Sequence, residues 1–278
     1  KMTSIKPPVK WVGGKAKLWG KLFQYFPKSI NNYHEMFLGG GSVLLGVLTA
    51  RKNNELNISG KIYAYDLNPV LIEFYKQLQT DYKSLYKAVL DIKNKADDDT
   101  KKYYYLIRDS YNKRKEVNLL KVAEFLYLNK TCFRGIFRLN KSGGFNVPYG
   151  HYKNPKIVDE EHLKKISELI KDVEFICCDF ENTTNIQDDD FVYMDPPYVP
   201  EKKGGFVSYS KDGFTEKKHN ALFKLCLKMS AKFVMSNSNT HIVREKLKKF
   251  TITEIDARRA INSKNPAAKT KEVIISNL

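Results

Sequence analysis

Asp195-Pro196-Pro197-Tyr198 is the group of residues best suited by type and order to do chemistry. It follows Phe191-Val192-Tyr193-Met194, so it stands at the carboxyl end of an expected strand, where open α/β sheets place their ligands. An aspartate carboxylate and a proline carbonyl are both acceptors, and two successive prolines restrict φ and fix that carbonyl's direction. Such a pair suits an amine whose lone pair is delocalised into a ring. Held by its hydrogens, the nitrogen is drawn toward a pyramidal, nucleophilic form. The exocyclic amine of adenine is such a group, and methyl transfer to it needs alignment rather than a covalent enzyme intermediate. Tyr198 offers a face on which an extruded base can stack. A plain Pro-Pro turn after a strand is the alternative for these four residues alone.

A second group is Phe37-Leu38-Gly39-Gly40-Gly41-Ser42. Glycines let backbone approach a cofactor closely and open a helix whose N-terminus faces it. The full dinucleotide fingerprint is absent, because Leu44 stands where its third glycine would. Gly13-Gly14-Lys15 likewise fails as a phosphate loop, lacking the earlier glycine and the hydroxyl after the lysine. Asp66 lies 25 residues beyond Gly41, at the end of the next expected strand. There an acid can accept hydrogen bonds from ribose hydroxyls. It can equally cap the helix announced by Asp66-Leu67-Asn68-Pro69, and both roles stay open.

The elements that position these groups alternate as in a doubly wound fold. Tyr33 to Phe37 reads as a strand, followed by a helix with Ser42 near its N-cap. Lys61 to Asp66 reads as a second strand, followed by a helix through Leu71, Phe74, Tyr75 and Leu78. From about Thr80 to Leu128 the pattern is helical and charged, interrupted at Asp97-Asp98-Asp99. Asn129 to Gly150 mixes aromatics, arginines and turn formers, and predicts a hairpin with loops. The α/β rhythm then returns: a helix over 160–171, strands at 173–178, 191–194 and 233–237, and a helix over 217–229. The last segment predicts an antiparallel pair, 250–256 with 272–277, around a basic loop. The simplest architecture is one α/β domain interrupted by a mostly helical, basic insertion.

Lysine and arginine number 48 against 31 acids, a formal net charge of +17. An excess of that size favours polyanionic partners and adds nothing to the fold. No run approaches the roughly 20 apolar residues of a membrane helix, and Lys1 to Pro8 has no apolar signal core. A soluble intracellular protein is therefore expected. Cys132, Cys177, Cys178 and Cys226 show no zinc spacing, and no metal site is expected. Cys177 and Cys178 read as small buried hydrophobes in a reducing compartment.

Three motifs in this order resemble the Dam-like (D12, α-class) DNA adenine-N6 methyltransferases. They are Lys10-Trp11-Val12-Gly13-Gly14-Lys15, Glu35-Met36-Phe37-Leu38-Gly39-Gly40-Gly41-Ser42 and Asp195-Pro196-Pro197-Tyr198. Phe125 to Lys130 and Phe145 to Gly150 match as well, so the likeness covers nearly the whole chain. It implies a three-layer Rossmann-like S-adenosylmethionine-dependent α/β fold with an inserted, mostly helical target-recognition domain. The divisions would be 1–78 and 156–278 for catalysis and 79–155 for recognition. S-adenosylmethionine would be the methyl donor, and a flipped-out adenine of double-stranded DNA the acceptor, with the enzyme a monomer or weak dimer.

Residue by residue, the resemblance places Trp11, Lys15, Phe37, Gly39, Gly41 and Ser42 around the donor. Asp66 would meet its ribose, Asp179 and Phe180 its adenine, and Asp195 its methionine end. Lys10 would meet DNA, Phe133 would wedge into the duplex, and Arg138 would read a base. Arg134, Asn140, Lys141, Tyr149 and His151 complete the expected DNA face. Arg134 replaces what is often asparagine, and His151 stands where the Dam enzyme has arginine, so the resemblance does not fix the target sequence as the usual GATC. Without the family, Phe133 and Phe137 read either as a wedge region or as hairpin core with solvated arginines. Lys202 to Gly205 reads as a loop that orders on substrate or as plain surface; Arg258, Arg259 and Lys264 to Lys271 read as phosphate contacts or as solvated charge. Methylation of RNA or of a protein amide, and a non-catalytic nucleic-acid module, are the rival functions.

Overall fold

Parallel strands covered on both faces need near-continuous apolar runs, and this chain supplies them. In the computed structural model the strands are β1 (Ser29–Ile30), β2 (Tyr33–Met36), β3 (Asn57–Ile58), β4 (Ile62–Asp66) and β5 (Val173–Cys177). They continue with β6 (Phe191–Met194), β7 (Lys232–Ser238), β8 (Thr251–Arg258) and β9 (Lys269–Ser276). The helices are α1 (Trp19–Leu22), α2 (Ser42–Lys52), α3 (Pro69–Thr80), α4 (Tyr82–Asn94) and α5 (Thr100–Lys113). After them come α6 (Leu119–Thr131), α7 (Glu160–Leu169), α8 (Glu216–Lys228) and α9 (His241–Lys246). The structure describes residues 5–201, 213–258 and 269–278, with backbone alone for 256–258 and 269–271. The expected loop at Lys202 to Gly205, and Arg259 and Lys264 of the basic loop, lie outside the described residues.

Packing divides the chain into two units. One holds Lys1–Trp19, Gly39–Glu55 and Asn68–Cys177; the other holds Gly20–Leu38, Leu56–Leu67 and Cys178–Leu278. The second unit carries the strand order β4-β2-β6-β7-β9-β8. From β4 to β7 the strands are parallel, while β9 inserts antiparallel between β7 and β8. All four residues of β2 and of β6 are buried, as is β7 beyond Lys232. Phe26 packs its ring against Tyr33, Phe191 and Tyr193 at centroid distances of 6.3, 4.9 and 5.5 Å. The antiparallel pair expected near the C-terminus is β8 with β9.

The buried histidine of this sheet is paired at both ring nitrogens. His34 is fully buried, with Nε2 2.7 Å from Asp190 Oδ2 and Nδ1 2.8 Å from the Tyr65 hydroxyl. Burial lowers the His34 pKa against the pull of Asp190, so the imidazole is neutral. Burial also works to raise the Asp190 carboxyl, but the Gln187 N–H, His34 and Asn32 hold it below the usual range. The neutral ring therefore donates from Nε2 to a carboxylate and accepts from Tyr65 at Nδ1.

The first unit is mostly helical. Side-chain caps start its helices: Asn68 accepts from the Val70 and Leu71 N–H groups, Asp81 from Ser84, Asp99 from Lys102 and Asn118 from Lys121. Pro69 takes the first position of α3, where no N–H is needed. Asn68, not Asp66, is thus the cap of that helix. Ser42 stands beside the N-cap of α2, as expected. Gly41 precedes α2 in the left-handed region, and Ser42 Oγ accepts from the Lys15 N–H at 2.8 Å. Glu124 is buried on α6 because Arg114 Nε meets its Oε1 at 2.8 Å.

Two local expectations change. Asn129 to Thr131 complete α6 rather than open a hairpin, since burial continues from Val122 through Asn129. Beyond them only two isolated bridges, Cys132 with Tyr149 and Leu139 with Phe145, join the arms of the expected hairpin. Cys177 is exposed and Cys178 half-buried, not core. Val173 and Phe175 fill the interior from β5, and by Cys177, its last residue, the strand has run past that core. Among the described residues no helix is long and apolar enough to cross a membrane.

Candidate active site

Register brings the sequence-predicted acids to one edge of the second unit. Met36 pairs with Met194, so Phe37 and Asp195 leave neighbouring parallel strands at the same level. Glu35 pairs with Ala64, which sets Asp66 level with Phe37 on the other side. Met194 also pairs with Met235, so Ser236 is level with Asp195. Neighbouring strands lie about 4.8 Å apart, which spreads Asp66, Phe37, Asp195 and Ser236 over roughly 15 Å of carboxyl edge. The chain turns outward in both directions from β2, to β4 on one side and β6 on the other. Such a reversal leaves a crevice at the carboxyl ends of the strands.

The Asp195 loop is fastened from β7. Val199 donates its N–H to Asn237 Oδ1 at 3.1 Å, and its carbonyl accepts from Ser238 Oγ at 2.7 Å. The Tyr193 hydroxyl lies 2.8 Å from Ser236 Oγ. Burial, and then the nearby Asp195 carboxylate, push the phenols of Tyr193 and Tyr198 well above the usual tyrosine range. Both phenols therefore stay neutral beside the acid.

Phe37, with a φ of 62°, ends β2 inside an aromatic cluster. Its ring lies 5.5 Å from Phe180 and 6.0 Å from Phe214, and those two are 5.8 Å apart. The Cys178 N–H donates to the Asp66 carbonyl at 3.1 Å, which brings Asp179 and Phe180 to the same edge. Lys218 of α8 donates to Asp179 at 2.5 Å and Glu181 at 2.7 Å. Burial works to raise the Asp179 carboxyl, yet Lys218 and the Glu181 N–H hold it below the usual range.

In the first unit, Gly39, Gly40 and Gly41 lie against rings. A Cβ at Gly40 would come 2.8 Å from Trp11 Cβ, and one at Gly39 2.9 Å from Trp11 Cδ1. Gly41 has a φ of 79°, and a Cβ there would lie 2.5 Å from the Tyr75 hydroxyl, which donates to the Gly40 carbonyl at 2.7 Å. Lys15 is 5% exposed, its Nζ donating to the Gly13 carbonyl at 2.7 Å. This is a glycine turn at a helix N-terminus, packed so closely on Trp11 and Tyr75 that no side chain fits.

Comparison with known proteins shows the family of the chain. A family model described as D12 class N6 adenine-specific DNA methyltransferase matches residues 11–261. The chain belongs to that class. The Type II methyltransferase M.MjaIII of Methanocaldococcus jannaschii is 37% identical, covering 98% of this chain and 99% of its own. The retron Ec67 DNA adenine methylase of Escherichia coli is 33% identical over 96% and 90%. A DNA adenine methylase of Vibrio cholerae is 31% identical over 95% and 92%.

The expected DNA face of this D12-class enzyme lies in its first unit. Asn129 Oδ1 accepts from the Lys10 N–H and Asn129 Nδ2 donates to the Lys10 carbonyl, both at 2.8 Å. The Lys10 ammonium then sits 4.1 Å over the Tyr152 ring. Phe133 is 42% exposed, whereas Phe137 packs on Trp11, Phe125 and Phe145. Phe137 therefore packs on the core, and Phe133 does not. Arg134, with a φ of 54°, covers the Phe133 ring at 4.9 Å. Arg138 donates to the Asn146 side chain at 2.8 Å and to its carbonyl at 3.3 Å. Asn140 Oδ1 accepts from the N–H groups of Ser142 and Gly144 and so shapes the turn that presents exposed Lys141. The Tyr149 hydroxyl lies 2.8 Å from Thr100 Oγ1, and the His151 ring meets Tyr149 edge-on at 4.8 Å.

Sequence reasoning missed Ser236, Asn237 and Ser238 of the D12-class enzyme, three buried polar residues on one strand. Their signal is legible afterwards: a strand whose apolar start, Phe233-Val234-Met235, gives way to polar residues while still central has something polar beside it. Lys218 and Phe214 were missed as well, because the residues they meet, Asp179 and Phe180, are distant in sequence.

Proposed function

We propose that this enzyme transfers a methyl group from S-adenosylmethionine to N6 of an adenine extruded from duplex DNA at a specific sequence. The observation that carries the reading is the level of Asp195 with Phe37 at the carboxyl edge, its loop fastened by β7. The glycine turn opens the helix N-terminus that would face the donor, and it leaves no room for side chains, since any Cβ at Gly39, Gly40 or Gly41 would collide with Trp11 or Tyr75. S-adenosylmethionine supplies an electrophilic methyl carbon on a sulfonium that leaves as a neutral thioether. Asp66 accepts from ribose hydroxyls, Asp179 and Phe180 border the adenine moiety, and Trp11, Lys15, Phe37, Gly39, Gly41 and Ser42 complete the donor's surroundings. The Asp195 carboxylate and Pro196 carbonyl accept the two N6 hydrogens of the target base, Pro197 keeps that carbonyl aimed, and Tyr198 stacks on the ring. Held in this way, N6 would face the methyl carbon the donor supplies, and the proton shed by the methylated nitrogen would pass to solvent.

Residues 79–155 form the recognition segment in this reading, and 1–78 and 156–278 the catalytic one. Phe133 fills the gap left in the duplex and Arg138 reads a base edge. Lys10, Arg134, Asn140, Lys141, Tyr149 and His151 meet the surrounding backbone and bases. Labelled-methyl transfer to DNA, RNA and protein tests the acceptor: DNA alone is expected to take up label. Asp195→Ala should lower that transfer at least about 100-fold while DNA binding persists. Near-full activity of the variant, or label in RNA or protein instead, overturns the reading.

A further inference from the structure

The polar end of β7 carries one hydrogen-bonding group without a partner among the described residues. Asn237 has no exposed surface. Its Oδ1 accepts two backbone N–H groups, from Val199 at 3.1 Å and Ser238 at 2.8 Å. Those two donors fix which end of the amide is oxygen, because an NH2 group there would face them donor to donor. Nδ2 therefore points the other way, and it has no partner among the described residues. A buried amide N–H without an acceptor is costly and rare, so a polar atom is owed to it.

The location narrows what that atom is. Val199 follows Tyr198 directly, and Ser238 holds the Val199 carbonyl while Asn237 holds its N–H. Asn237 thus belongs to the wall of the Asp195 loop, where the target base docks on the function proposed above. Every group assigned there to grip the base is an acceptor: the Asp195 carboxylate and the Pro196 carbonyl. Adenine offers those acceptors its two N6 hydrogens, but N6 is flanked by N1 and N7, two lone-pair acceptors that need a donor. We propose that Asn237 Nδ2 donates to a ring nitrogen beside N6 of the extruded adenine, while its Oδ1 sets the loop. Asn237 is then a specificity-determining residue. Where it meets the N1 side, guanine or thymine presents an N–H to it, and two donors repel.

This inference rests on the function proposed above, and the experiment keeps the two apart. Once the methylated sequence has been read from DNA exposed to the enzyme, three duplexes are compared, with adenine, 7-deazaadenine or 1-deazaadenine at the target. Wild-type enzyme on plain adenine is the control, and absence of methylation there refutes the function itself. With the control active, kcat/KM is expected to fall about tenfold on one analogue, N7 or N1 being identified by which. Asn237→Ala, which also frees the loop, should lose at least as much on adenine and show no further loss on that analogue. Asn237→Asp, which keeps the acceptor toward Val199 and loses the amide donor, should behave likewise and serves if the alanine variant does not fold. Intrinsic effects of the altered ring appear in both enzymes and cancel. Equal kcat/KM on all three substrates, or variant and analogue losses that multiply, overturns the inference.

Discussion

At the scale of single residues, Phe133 and Phe137 show what packing adds to composition. Both are aromatic residues of one turn-rich stretch, yet Phe137 meets three rings while Phe133 is 42% exposed. A large apolar side chain held in water contributes little to stability, so its use is sought in binding. Phe133→Ala should move the melting temperature by no more than about a degree or two, since surface changes are usually within ±0.5 kcal/mol. Methylation of a matched duplex should fall, and pairing the target adenine with a mismatched base should restore much of it, because a mismatch lowers the cost of extrusion. A variant equally impaired on both duplexes would remove the wedge role. Gly41 makes the complementary case. Gly41→Ala forces a side chain into the left-handed region and against the Tyr75 hydroxyl, so calorimetry should find donor binding weakened about tenfold or more. Unchanged affinity would mean the glycine turn is not the donor's seat. The acids and glycines of the motifs were legible as types in a fixed order. Asn237 was not, because its meaning lies in a bond to Val199, 38 residues away.

At the scale of elements, caps were written locally and long-range burial was not. Asp81, Asp99 and Asn118 each precede a helix and cap it, with signals two or three residues long. The end of α6 is different: Asn129 and Thr131 look like turn formers but lie buried, Asn129 binding Lys10 through both ends of its amide. That pairing brings like charges together. Burial, then Lys6 and Lys10, push the Lys130 pKa down to about 8 from 10.5. For a base with a lowered folded-state pKa, the unfolded chain binds more protons between those two values, and stability rises with pH across that window. At neutral pH the charged form is penalised in the fold. Lys130→Met should therefore melt higher than wild type near pH 7, and the gap should narrow as pH rises through 8 toward 10. A gap constant from pH 7 to 10 would show that Lys130 is not desolvated, and a lower-melting variant would show that its charge is paired.

At the scale of the whole molecule, the α/β rhythm was readable strand by strand, but the order was not. Nothing local says that β9 inserts between β7 and β8, because that choice rests on Ile274 and Ile275 fitting beside Met235 and Ser236 in a sheet assembled from far segments. The charge, by contrast, is a property the sequence states outright. A formal +17 is spread over a chain whose D12-class family acts on DNA, and many of its acids are already engaged: Asp172 with Arg51, Asp179 and Glu181 with Lys218, Glu124 with Arg114, Glu254 with Arg244. Free positive charge meets phosphate by releasing counterions, and each neutralised phosphate adds about −0.9 to the slope of log affinity against log salt. With six to ten phosphates engaged, affinity should fall by roughly 10³ to 10⁵ between about 50 and 200 mM salt. The residues sort by this slope. Lys141→Ala, at an exposed turn, should make it shallower by about one, whereas Phe133→Ala and Asp195→Ala, which remove no positive charge, should leave it unchanged. Donor binding in the same titration supplies the internal control, because it displaces no polyanion atmosphere and should stay nearly flat. A DNA affinity equally indifferent to salt would mean that the excess charge is solvated surface and that recognition rests on base contacts alone.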